Sequence, residues 1–131
     1  MSPADVVYDL GSGDGRIPIA AAREHGARGV GIELDGRMIA HARCRAREAR
    51  IEHRVEFREK DLFGTDLRDA TVVTLFLFPA MHRRLAPKLR AELRPGTRIV
   101  SHQFDLGDWP PDAERDVDGY RILRWTVPPA R

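Results

Sequence analysis

The sequence predicts an α/β fold: a mostly parallel sheet with helices on both faces and an antiparallel C-terminal strand. Three observations lead there. Short apolar runs alternate with stretches of helical periodicity as far as residue 104. The first run stops at a glycine-rich turn, Gly11-Ser12-Gly13-Asp14-Gly15, which opens an alanine-rich segment. Asp118-Gly119 is a hairpin dipeptide just before the last apolar run. Strand–helix alternation marks parallel strands joined by crossover helices.

Each element has its own grounds. Residues 5–10 read as a short buried strand. Residues 17–25 look helical, with Gly26 as the stop and Pro18 in the first turn, where its missing N–H has no partner to lose. Residues 29–34 form a second strand. Asp35 suits the N-cap of a helix running to about residue 50, with Met38, Ile39, Ala42, Ala46 and Ala49 inward. Residues 54–59 alternate, Val55 and Phe57 facing in, and residues 61–64 form a loop. Residues 71–78 are apolar and β-branched, which predicts a central strand buried on both faces.

Met81, Leu85, Leu89 and Leu93 then recur at helical spacing, with Pro87 expected to kink or restart that helix. Residues 97–104 give a fifth strand, 105–112 a loop and 120–127 the last strand. At 131 residues the chain suits one domain, 1–131.

Composition excludes several classes. A single cysteine, Cys44, rules out a disulfide framework or a cysteine-based zinc site within one chain, and no metal is expected. No signal peptide and no membrane-spanning apolar run is visible, which predicts a cytoplasmic protein with no membrane partner. A formal net charge of +2 disfavours nucleic acid as a partner. Arg43, Arg47 and Arg50 form a basic stripe, read first as a solvated helix face and second as an RNA backbone contact. The oligomeric state stays open, a homodimer among the options.

The chemistry concentrates in Asp9-Leu10-Gly11-Ser12-Gly13-Asp14-Gly15. A glycine loop at a strand-to-helix turn lets backbone approach a ligand, but nucleotide sites of several kinds use one. The dinucleotide pattern needs a third glycine three places after the second, and that place is Arg16. This disfavours a nicotinamide-dependent oxidoreductase. Asp9 before the loop suits a cationic ligand better than a pyrophosphate. S-adenosylmethionine has an ammonium, a sulfonium and no phosphate. Glu33, ending the second strand, can accept ribose hydroxyls, and Leu34 can pack on adenine. Asp61 can accept from the adenine amine, and the Leu62 N–H can donate to the ring. The bland alternatives are a tight turn for the glycines, a strand end for Glu33, a loop cap for Asp61 and a helix-terminal charge for Asp14.

At these residues the sequence resembles the Rossmann-like class I methyltransferases. Within them, residues 7–17 resemble a subgroup that includes mitochondrial protein-lysine methyltransferases acting on an ATP synthase subunit and on the adenine nucleotide translocase. Pro87-Lys88-Leu89, Leu93-Arg94-Pro95-Gly96-Thr97-Arg98 and Ser101-His102-Gln103-Phe104 look like bacterial members. The resemblance implies donor binding at Asp9, Gly11, Gly13, Glu33 and Asp61, with Ser12 in the same loop, and S-adenosylhomocysteine as the product. Protein lysine is the first-guess acceptor, with a small molecule, RNA or a non-catalytic donor-binding module as alternatives. Relatives usually carry a segment before the first strand that helps close the pocket. Its lack here leads to the expectation of donor binding with slow turnover.

No catalytic base is assigned. Phe78 and His102 are the acceptor-side candidates, with His82 as the other histidine near that edge. Phe76 is expected to be sheet core. Trp109 and Trp125 are expected to pack. The Asn/Asp-Pro-Pro-aromatic motif of many base and amide methyltransferases is replaced by Phe78-Pro79-Ala80-Met81-His82.

Overall fold

The computed structural model describes residues 1–129, and the chain divides into two compact units, residues 1–65 and residues 66 onward. The first unit runs β1 (Val6–Leu10), α1 (Arg16–His25), β2 (Arg28–Glu33), α2 (Gly36–Glu48) and β3 (Val55–Glu59), then a 3-10 turn at Leu62–Gly64. Its strands lie in the order β3-β2-β1, all parallel, with Leu10 beside Ile32 and Glu33 beside Glu59. Parallel strands in register bring their carboxyl ends to one edge, so Gly11, Glu33 and Asp61 follow one another along it.

Local chemistry fixes both helices. Pro18 is the third helical residue, a position whose N–H has no intrahelical acceptor. The helix closes at Gly26 in the left-handed conformation, its N–H donating to Ala22 O at 3.1 Å. Asp35 caps α2 as expected, its carboxylate accepting from Arg37 N–H at 2.9 Å. Ile39, Ala42 and Ala46 face inward and join Ile19 and Phe57 in one buried cluster. That spacing is one stripe of an amphipathic helix.

The second unit contains β4 (Val72–Leu75), α3 (Pro79–Glu92), β5 (Arg98–His102), β6 (Ala113–Val117) and β7 (Tyr120–Thr126). The order is β4-β5-β7-β6, with β4 and β5 parallel and β7 antiparallel to both its neighbours. Asp118 (φ 51°) and Gly119 (φ 85°) are both left-handed, the geometry a two-residue hairpin turn requires between the paired Val117 and Tyr120. Trp125 and Trp109 pack as expected; the Trp125 indole N–H donates to Trp109 O at 2.8 Å.

Two expectations need correction. The strand expected over residues 71–78 stops at Leu75, and Phe76 is 56% exposed rather than sheet core. The reason is Pro79, which opens α3 and holds Phe78 extended (φ −70°, ψ 149°), so the chain leaves the sheet early. Pro87 does not restart α3, which runs as one helix through it. Its side chain is exposed, so the burial of Leu85, Ala86 and Leu89 on the other face holds the helix across the missing N–H. The partner that the Asp118-Gly119 hairpin implied for the last strand is β6, with mostly exposed side chains.

Gly29 shows how closely α1 lies on β2. A Cβ there would sit 2.7 Å from Pro18 O and 2.9 Å from Pro18 Cα, backbone atoms that cannot swing away. Gly29→Ala should therefore lower stability by about 1–3 kcal/mol, the usual scale of overpacking. Gly64→Ala is the control, since nothing lies within 4 Å of its added carbon. Urea melts read both. Equal midpoints for the two variants would show that α1 can shift without cost.

Candidate active site

The loop after β1 is built on left-handed backbone: Gly11 has φ 79°, Gly13 φ 54° and Gly15 φ 83°. Only glycine takes such angles in sequence without steric cost. The turn is anchored on β2, where Ile32 O accepts from Gly11 N–H at 2.8 Å and Ser12 N–H at 3.0 Å. Gly15 N–H then donates to Ser12 O at 3.0 Å. Asp9 is buried at the end of β1. Ser12 is also buried, and its Oγ has no hydrogen-bond partner among the described residues.

Glu33 ties this loop to the next helix. Its Oε1 accepts from Gly13 N–H at 2.8 Å, and its Oε2 accepts from Leu34 N–H at 3.0 Å and Asp35 N–H at 3.1 Å. It is thus more than a solvated strand end. Leu34 stands 67% exposed beside it. Asp61 caps its own loop, the bland alternative to an adenine contact, Oδ1 accepting from Phe63 N–H at 2.9 Å, and Leu62 is buried. The structure thus gathers Asp9, Gly11, Ser12, Gly13, Glu33, Leu34, Asp61 and Leu62 in the first unit, on or next to three adjoining strand ends.

The flanking charges resolve simply. Asp14 accepts from the Arg16 backbone N–H at 3.3 Å and from its Nε at 2.9 Å, as a helix-terminal carboxylate should. Desolvation raises its pKa, but the Arg16 hydrogen bonds and the Arg16 and Arg45 charges outweigh it, leaving the carboxyl below the usual range. Arg16 itself is 77% exposed at its side chain. Its size therefore does not crowd the helix–strand contact, which Gly29 and Pro18 make instead.

The acceptor-side candidates all belong to the second unit. Phe78 is 78% exposed at the start of α3. His102, ending β5, meets Phe76 edge-on with ring centroids 4.2 Å apart and Tyr120 at 4.9 Å. Its Nδ1 is buried without a hydrogen-bond partner among the described residues. Tyr120, 51% exposed, was not visible as a site residue in the sequence. Its signal was position: it follows the hairpin turn, and the β5–β7 register brings it near His102.

His82 is a different case. It is fully buried on α3, and its Nε2 accepts from Leu77 N–H at 2.9 Å. A nitrogen that accepts from an amide carries no proton, so the proton is on Nδ1, which lies 3.3 Å from Phe104 O and 3.3 Å from Ser101 Oγ. Burial pushes the imidazole below the usual histidine range, against the raising effects of Phe104 O and Asp105. The lone pair a general base would use is already engaged.

The basic stripe is partly engaged too. Arg43 donates to Phe57 O at 3.0 Å, and Arg43 and Arg47 share a cleft of about 320 Å³ with Glu52 and Glu56. Among the described residues no helix is long and apolar enough to cross a membrane.

Comparison with known proteins follows the same outline. Residues 9–113 match the ANTKMT methyltransferase domain. The chain is 41% identical over 112 residues to a protein-lysine N-methyltransferase of Saccharolobus islandicus, covering 85% of this chain and 70% of that protein. It is 43% identical over 108 residues to the adenine nucleotide translocase lysine N-methyltransferase of Mus musculus, covering 82% of this chain and 47% of that one. It thus spans about half the length of this mouse relative. A solved structure described as an RNA methyltransferase from Salinibacter ruber, in complex with S-adenosyl-L-homocysteine, is 53% identical. It superposes with a TM-score of 0.96, covering 99% of this chain and 85% of that one. The chain therefore belongs to the ANTKMT methyltransferase domain family, a group of S-adenosylmethionine-dependent methyltransferases.

Proposed function

We propose that this chain, read as one methyltransferase domain, transfers a methyl group from S-adenosylmethionine to the side-chain nitrogen of a protein lysine. The observation that carries the donor half is the Glu33 carboxylate fastened to the Gly13 amide at 2.8 Å, a carboxylate held at the mouth of a left-handed glycine loop. The residues fit the donor. Asp9, Glu33 and Asp61 make the edge anionic, which suits an ammonium and a sulfonium. The exposed Leu34 offers an apolar face for a purine. The buried, unpartnered Ser12 hydroxyl is a polar group still seeking a partner.

The donor supplies a methyl already activated as a sulfonium substituent. The lysine nitrogen attacks that carbon as the carbon–sulfur bond breaks, leaving a thioether and releasing one proton from nitrogen. The protein's task is to align the nitrogen, exclude water and see the ammonium deprotonated first. Phe78 and His102 are assigned to the acceptor side. The names of the archaeal and mouse relatives support lysine as the acceptor.

RNA is the second reading, favoured by the description of the Salinibacter ruber structure. The charge distribution ranks it lower, since Arg43 and Arg45 are engaged by a carbonyl and a carboxylate of the chain itself.

Two measurements test these halves. Incubating the chain with methyl-labelled donor and separated protein and RNA fractions should place label in protein, recovered as methyl-lysine after hydrolysis. Label confined to RNA would replace lysine by the second reading. For the donor, Glu33→Ala should weaken S-adenosylhomocysteine binding by about 1–3 kcal/mol, the scale of a lost hydrogen bond to a charged group. Gly13→Val should abolish it in a folded protein, because its branched side chain would need a left-handed backbone and would take up ligand space. Calorimetric titrations unchanged in both variants would remove this loop from the site.

A further inference from the structure

The second unit holds a buried polar network that the reaction chemistry leaves unused. After β4 ends at Leu75, the Leu77 amide has left the strand ladder, and His82 Nε2 receives it at 2.9 Å. Near the end of β5, Ser101 Oγ donates to Phe104 O just beyond the strand, the carbonyl that faces His82 Nδ1. Between them Gln103 adopts a left-handed backbone (φ 78°). It is held there by a reciprocal pair: its N–H donates to Arg121 O at 2.7 Å, and its side-chain oxygen accepts from Arg121 N–H at 2.8 Å. One imidazole therefore bridges two segments that carry aromatic rings: exposed Phe76 and Phe78 on one side, half-buried His102 and Phe104 on the other.

We infer that His82 is a positioning residue for methyl transfer, its neutral ring splinting the segment 76–78 to the segment 102–104 so that their rings form one fixed acceptor-side surface. This rests on the reading above that these rings face the acceptor. Only the neutral ring with its proton on Nδ1 can do this, because one nitrogen must accept and the other must donate. Protonation would turn Nε2 into a donor pointing at the Leu77 donor and break the splint. Burial favours the neutral form and outweighs Asp105, the charged group that favours the cation. The splint is thus intact above the ordinary histidine pKa of 6.5 and is lost as pH falls well below it. A ring this buried touches no substrate, so its effect travels through backbone position. Small misplacements of an aligned acceptor are costly in rate.

The test compares His82→Leu, which removes both bonds, with His82→Gln, whose carboxamide offers an acceptor and a donor but does not titrate. Poly-L-lysine with labelled donor is the acceptor probe. In His82→Leu, methyl incorporation should fall about tenfold to a hundredfold. S-adenosylhomocysteine affinity, a property of the first unit, should stay within about twofold. His82→Gln should restore most turnover and remove the loss of rate on the acid side. Nitrogen-15 NMR of the unmutated chain should show the Nδ1–H tautomer and a protected Leu77 amide. Ring-to-ring contacts between Phe76 and His102 should vanish in the leucine variant and return in the glutamine one.

Unchanged ring contacts and turnover in His82→Leu would overturn the inference. So would equal failure of both variants, with donor binding lost, because His82 would then serve the fold alone. If the unmutated chain ignores poly-L-lysine while the NMR results hold, the lysine reading fails and the splint stands.

Discussion

The Glu33 carboxylate receives three backbone amides, and this strand-end edge depends on that arrangement. A left-handed glycine loop turns its successive N–H groups out of the regular strand ladder. Gly11 and Ser12 place theirs on one carbonyl of β2. Gly13 has no such neighbour and uses a side chain twenty positions later. The same carboxylate takes the amides of Leu34 and Asp35 just before α2 begins. Charge-assisted bonds of this kind are worth roughly twice neutral ones. One residue thus satisfies the loop, the strand end and the approach to the helix. Two carboxylate oxygens offer about four acceptor sites, and three are occupied by the chain. The direction of this carboxylate is therefore already set by the backbone.

The second unit solves the same problem with a neutral group. Where β4 and β5 end, the ladder stops satisfying amides and carbonyls, and side chains take over. His82 takes the Leu77 amide, Gln103 the Arg121 amide, and Ser101 the Phe104 carbonyl. Phe78 O meanwhile accepts from Met81 N–H at 2.9 Å and His82 N–H at 3.2 Å as α3 starts. Rings exposed to solvent are thereby mounted on backbone that has few ways to move. The segment Ser101-His102-Gln103-Phe104 gains a physical reading at each place: a hydroxyl, a ring set edge-on against Phe76, a left-handed turn and a carbonyl aimed inward.

Much of this was legible in the residues because it obeys local rules. The glycine loop, the Asp35 cap, the Gly26 stop and the inner stripe of α2 depend on neighbours within a few positions. Tertiary burial decided the rest. The run over 71–78 is apolar throughout, so its pattern could not show that the chain leaves the sheet after Leu75. Pro79 carried that signal, through its preference for the first helical turn. β6 was silent because an edge strand with mostly solvated side chains has no apolar alternation to read, although Asp118-Gly119 implied a partner for β7. Exposed Phe76 went against the average behaviour of phenylalanine. Tyr120 needed the β5–β7 register, a long-range pairing. The bridging role of His82 joins positions 77, 82 and 104, and no spacing rule links those three.

The acceptor question turns on how the arginines are used rather than on how many there are. Twenty-two basic residues against twenty acidic ones, and a pI of about 9.1, suggest a mildly basic protein. Several guanidinium groups are already employed as hydrogen-bond donors. Arg43 reaches Phe57 O, and Arg54 reaches Gly26 O at 3.1 Å. Others lie against carboxylates: Arg16 and Arg45 on Asp14, Arg58 on Glu56, Arg94 on Asp69. The planar fork of arginine suits both tasks, whereas lysine would serve mainly as a point charge. A phosphate backbone is bound through basic groups free to release its counterions. Guanidinium groups committed to the chain's own carbonyls and carboxylates contribute less to such a field than their number implies. A lysine side chain makes no such demand. It needs an apolar passage for its methylenes and a place where its nitrogen can lose a proton, and exposed aromatic rings on a stiff backbone are suited to the first of these.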